Sequence, residues 1–134
     1  VKHSEYNPSK TDRLHLIQVW IQPDRPGLRP RYAEWTPTVE QLAAPKVLII
    51  SHDGRDGSAH ISQDADVYRV KTSTAGTVSH ELRQGRGLWF QLIGGEVEID
   101  GVKLSPGDAL KSEEPGSFAF TSTGPIEALL FDLA

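Results

Sequence analysis

The stretch GRGLWFQLIGGEVEIDGVKLSPGD, Gly85 to Asp108, decides the fold. Leu88 to Ile93 is a short apolar run bounded by glycine pairs, which suits a strand. Glu96 to Asp100 and Val102 to Leu104 are two more short strands. Between Val97-Glu98-Ile99 and Val102-Lys103-Leu104 stands Asp100-Gly101, the dipeptide favoured where a two-residue hairpin needs positive φ at both central positions. Gly94-Gly95 and Pro106-Gly107 supply the turns on either side.

The same rhythm extends outward. Towards the N-terminus, Lys46 to Ser51, Ala59 to Ile61, Asp66 to Thr72 and Thr77 to Leu82 read as strands. Towards the C-terminus, Ala109 to Lys111, Ser117 to Thr121 and Ile126 to Leu133 do the same. Asp53-Gly54, Asp56-Gly57 and Pro115-Gly116 punctuate them. Many short strands at this spacing predict an all-β sandwich or barrel. Leu88, Phe90, Leu92, Val97, Ile99, Phe118, Phe120, Leu130 and Phe131 are the expected core.

Before Pro45 the pattern differs. Leu14 to Gln22 (LHLIQVWIQ) reads as a strand. Pro23 to Arg31, with Pro23, Pro26, Gly27 and Pro30, reads as a rigid loop. Thr38 to Ala44 is the one helix expected, with Thr38 and Gln41 at capping-box spacing and Pro45 ending the run. The apolar arm carrying Leu16, Ile17, Val19, Trp20 and Ile21 would be unfavourable to leave in water, at about 1.5–3 kcal/mol for each large side chain. It must fold back on the rest of the chain or pair with another copy, and a homo-oligomer, a homodimer in which the arms contribute to the interface, is the favoured expectation.

Composition sets the outer limits. The chain has 134 residues, enough for one domain or one domain plus an arm. Its net charge of −4 comes from 14 basic and 18 acidic residues spread evenly, which gives no electrostatic case for nucleic acid or an anionic membrane. There is no cysteine, so thiolate ligands and disulfides are excluded. There is no apolar run of transmembrane length. The chain reads as soluble and cytoplasmic.

The chemistry-bearing pattern is His3-Ser4-Glu5. In an extended segment His3 and Glu5 share a face, because strand side chains alternate. Imidazole and carboxylate together suit iron, zinc or copper. A working site needs about three or four protein ligands, and this pair supplies two. No His-x-His occurs, and His-x-Glu occurs only here. On spacing alone, two polar residues near a terminus are the commoner explanation.

The other candidates have structural readings. His15 lies mid-strand among apolar neighbours and reads as a hydrogen-bonded packing residue. His52 and His60 flank a glycine-rich turn and read as loop residues. His80 and Glu81 are adjacent, so on a strand they face opposite ways and cannot converge on one ion. Asp53 and Asp56 lack the regular oxygen spacing of a calcium loop, and turn chemistry accounts for both. Trp20, Trp35 and Trp89 read as core or inter-barrel packing.

Gly85 to Gly95, then Asp100 to Asp108, and the ending Glu127-Ala128-Leu129-Leu130-Phe131-Asp132-Leu133 resemble the second barrel of pirin-type bicupins. His3-Ser4-Glu5-Tyr6-Asn7, the segment Leu14 to Ile21, Arg55-Asp56-Gly57-Ser58 and Gln63-Asp64-Ala65 are similar to the same family, closest to bacterial members with quercetin 2,3-dioxygenase activity. The resemblance implies a cupin double-stranded β-helix, a jelly-roll barrel, with an N-terminal strand arm. Residues 1–45 would be the remnant of a first, metal-binding barrel plus a linker, and residues 46–134 a second, metal-free barrel.

It further implies that a divalent, iron-like transition metal sits in the first barrel of a longer parent. There a His-x-His pair would join His3 and Glu5, with Glu5 both ligand and possible base. The partners implied are the missing N-terminal cupin barrel and a flavonol-type small molecule. No metal is expected on this chain alone, and no quercetinase activity. Two other functions stay open: a metal-free module with a regulatory or protein-binding role, and a structural barrel that completes its partner.

Overall fold

The computed structural model describes residues 3–134. From residue 3 to Thr38 the backbone forms neither helix nor strand. Helix α1 then spans Val39–Ala43, and the expected capping box closes its start. The Thr38 hydroxyl accepts from the Gln41 N–H, and the Gln41 side chain accepts from the Thr38 N–H.

Ten strands follow: β1 Lys46–Ser51, β2 Ala59–His60, β3 Ala65–Thr72, β4 Gly76–Leu82, β5 Gly87–Gly94, β6 Val97–Ile99, β7 Val102–Leu104, β8 Ala109–Ser112, β9 Gly116–Ser122 and β10 Ile126–Leu133. They form two sheets, ordered β2-β1-β3-β10-β5-β8 and β4-β9-β6-β7. All pairings are antiparallel except β1 with β2. The hairpin between β6 and β7 turns on Asp100 and Gly101, with φ of 50° and 78°, the positive values that its two-residue turn requires. Gly95 precedes β6 at φ 83°, where a Cβ would stand 2.2 Å from the Pro125 carbonyl oxygen, so only glycine fits.

Register places Phe90 opposite Leu130, and Leu92 opposite Ala128. These residues, with Val70, Val78, Val97, Ile99 and Phe120, make a closed apolar core between the sheets. Phe90 and Phe120 stack across it with ring centroids 4.0 Å apart. Eight of the nine expected core residues are buried, and Phe118 packs partly buried against the rest. Phe131 is a correction within that set. It alternates with Leu130 on β10 and opposes Trp89, so it lies on the outer face of the larger sheet, outside the central cluster.

Three further expectations change. The sheets form a jelly-roll sandwich rather than a closed barrel, since no ladder joins them among the described residues. Polar side chains, not backbone pairing, bridge their mouth. Leu14 to Gln22 is not a strand, because it has no neighbouring strand to take its backbone hydrogen bonds. Its side chains stay exposed, His15 included, except for the half-buried Ile21, and Trp20 is 86% exposed. Trp89 is exposed too, and Trp35 is half-buried, so none of the three tryptophans is in the core.

Candidate functional site

Along β3 and β10 the inward face changes character towards one end of the sandwich. Val70 opposes Ala128, Tyr68 opposes Leu130, and Asp66 opposes Asp132. The same face therefore runs from apolar residues to a pair of carboxylates. Asp66 and Asp132 are buried, at 7% and 4% exposure. From the smaller sheet β4 brings His80, which points inward between Val78 and Leu82 and is equally buried.

Buried charge is costly unless it is paired and hydrogen-bonded. Here it is. His80 Nε2 lies 3.0 Å from Asp132 Oδ2. Arg86 donates from Nε to Asp132 Oδ1 at 2.5 Å, from Nη2 to the Asp132 carbonyl at 2.9 Å, and from Nη1 to Asp64 at 2.7 Å. Arg55 pairs with Asp66 and, at 3.1 Å, with Asp53. Ser51 also donates to Asp53. Lys46 Nζ donates to the Ser79 carbonyl and sits 5.5 Å from the Tyr68 ring centre.

These contacts set the protonation states. Burial holds the His80 imidazole below its ordinary value, although the Asp132 hydrogen bond pulls upward. The pair is thus a neutral imidazole donating to a carboxylate. Burial, then the charge of Asp66, raises the Tyr68 phenol. Hydrogen bonds from Ser51 and from Arg55 pull Asp53 down to about 2. The whole assembly opens on a cavity of about 510 Å³.

The sequence candidates divide. His80 and Glu81 do face opposite ways, one buried and one exposed. His52 lies in the turn after β1, whereas His60 is not a loop residue but ends the short strand β2 opposite Ser51; their ring centroids are 6.1 Å apart. Asp53 and Asp56 belong to the turn around Arg55–Gly57, where Asp56 itself has φ 56°. His3 and Glu5 are exposed on backbone outside any strand.

No group of three or more His, Cys, Asp or Glu side chains among the described residues is arranged to hold a metal. Two donors on an exposed segment fall short of a transition-metal site, so the residues of this chain do not fit the metal by themselves. Asp66, Tyr68, Arg86 and Asp132 escaped the sequence reading. For Asp66, Tyr68 and Asp132 the signal was a polar residue on the inward period of an otherwise apolar strand, as Asp132 follows Ile126, Ala128 and Leu130, whereas Arg86 lies in the connection before β5 and has no such signal.

Residues 48–133 match the family described as the quercetinase C-terminal cupin domain. The chain is 39% identical over 133 residues to quercetin 2,3-dioxygenase of Escherichia coli K12, covering 99% of this chain and 56% of that protein. The crystal structure of YhhW from Escherichia coli superposes with a TM-score of 0.77 at 34% identity, over 86% of this chain and 48% of that one. The bacterial pirin YhhW in complex with nickel(II) gives 0.71 at 32% identity, over 85% and 48%. The chain spans about half the length of the curated relatives it matches. No helix among the described residues is long and apolar enough to cross a membrane.

Proposed function

The chain belongs to the pirin family, through its quercetinase C-terminal cupin domain, and from that membership we propose that it works as the C-terminal half of a metal-dependent quercetin 2,3-dioxygenase. The observation that carries this reading is the alignment of 99% of the chain with the Escherichia coli enzyme of that name. The nickel(II) held by a related bacterial pirin supports a divalent metal in the two-barrel form. Residues 1–45 are then the end of a first barrel plus a linker, and residues 46–134 the second barrel. His3 and Glu5 contribute two of the ligands, and the preceding barrel contributes the remainder. A flavonol is the substrate of that two-barrel form.

A second reading is favoured by a separate observation. The sandwich has its own charged, buried mouth, remote in sequence from His3 and Glu5. A metal-free binding module would need such a feature, and a barrel that merely completes its partner would not.

Quercetin consumption under O₂ tests the first reading. We expect turnover by the two-barrel parent and none by residues 1–134 supplied with iron(II) or nickel(II). Turnover by the shorter chain would overturn the division of the site, and an inert, fully metallated parent would overturn the activity.

A further inference from the structure

We propose that the mouth of the sandwich binds a small organic cation carrying several N–H donors, such as an alkylamine or alkylguanidine. The argument is a count of donors and acceptors around the cavity of about 510 Å³. The strong donors are engaged inside the protein. Arg55 is taken by Asp53 and Asp66, and Arg86 by Asp64, Asp132 and the Asp132 carbonyl. Of the cations lining the mouth, Arg83 alone has no acceptor partner among the described residues.

The acceptors are in surplus. Asp66 Oδ1, Asp64 Oδ2 and both Glu81 oxygens have no donor among the described residues. His80 adds a further acceptor, buried and specific. An ionised Asp132 only accepts, so His80 Nε2 must carry the hydrogen, and Nδ1 of the neutral ring is left with a lone pair. Nδ1 has no hydrogen-bond partner among the described residues, and His80 lines the cavity.

Five carboxylates line the mouth, from Asp53, Asp64, Asp66, Glu81 and Asp132. Even with Arg86 and the adjacent Lys46 counted beside Arg55 and Arg83, the five carboxylates outnumber the four cationic side chains, which favours a cation over an anion. Tyr68 adds an aromatic wall, with its ring centre 5.3 Å from that of His80. The volume lies in the range of small-molecule sites. The site is distinct from the proposed metal half-site, because neither His3 nor Glu5 lines it.

The test is a titration of the ¹⁵N-labelled chain, followed by amide and imidazole shifts. The probes are agmatine, tetramethylammonium as a cation without N–H donors, citrate as an anion, and nickel(II). Saturable shifts with agmatine are expected at Asp66, Tyr68, His80 and Glu81. Tetramethylammonium should bind at least about tenfold more weakly, since it lacks charge-assisted hydrogen bonds. Glu81→Gln, a substitution at an exposed residue, should weaken agmatine by about two- to fivefold and leave the dispersed spectrum unchanged.

Scattered or non-saturating agmatine shifts would overturn the proposal. Equal binding of tetramethylammonium would reduce it to general charge attraction. Citrate or nickel(II) saturating the same residues in preference would assign the mouth to a different chemistry. None of these outcomes bears on the metal half-site, which is read from the two-barrel parent.

Discussion

His80 reaches across the gap between the sheets and donates to Asp132, and its burial there makes stability depend on pH. Lys46, Tyr68, Asp66 and Asp132 are the other titratable groups facing it. Burial, the largest influence, holds the imidazole below 6.5 when folded, and the positive charge of Lys46 acts in the same direction. The unfolded chain therefore protonates this residue at a pH where the folded chain does not, and stability rises with pH over that window. It is fully present above the ordinary imidazole value and is lost as pH falls through that value towards the lower folded one. His80→Gln should flatten unfolding free energy against pH as the pH falls through and below 6.5, and a slope identical to wild type would place the titration elsewhere. Phe120 was legible as core from its strand alternation, and it is fully buried against Phe90. Phe120→Ala should cost roughly 3–5 kcal/mol in chemical denaturation, and a loss under about 1 kcal/mol would contradict that packing. The partners of His80 were not legible, because a ladder register that opposes Asp66 to Asp132 is a long-range property that no local spacing records.

At the scale of elements, all ten strands lie at or within two residues of the turns that announced them. Each is short, and most are bounded by glycine- or proline-containing turns that act locally. Leu14 to Gln22 has the same local signature and forms no strand, since a strand also needs a neighbour. Its end is nonetheless held. Gln63 donates to the Gln22 carbonyl at 2.9 Å, and the Asp24 N–H donates to the Ser62 carbonyl at 2.8 Å. Val19 to Gln22 then wall a cavity of about 410 Å³ with Trp89, Phe131 and Leu133. Leu14, Leu16, Ile17, Val19 and Trp20 remain exposed in one copy. In the chain by itself we expect these side chains to be covered by a second copy, at an affinity limited by the entropy of association. Sedimentation at micromolar concentration should show a dimer or larger closed oligomer, and deleting residues 1–22 should shift it towards monomer. A monomeric wild type would leave the arm to its own sheet.

For the molecule as a whole, the proposed chemistry is divided between two places. One is a charged mouth built entirely from residues 51–132. The other is the proposed donor pair, His3 and Glu5, to be completed by the preceding barrel. The pair is proposed from sequence and family resemblance, and any further ligands would lie outside these residues, which contain no His-x-His. The most direct measurement is the transition-metal content per chain of the two-barrel parent after gel filtration, for the wild type and for His3→Ala and Glu5→Ala. The account predicts one ion in the wild type and loss of stoichiometric metal in both variants, because each would remove one of only about three or four ligands. One tightly held ion per chain in either variant would contradict it.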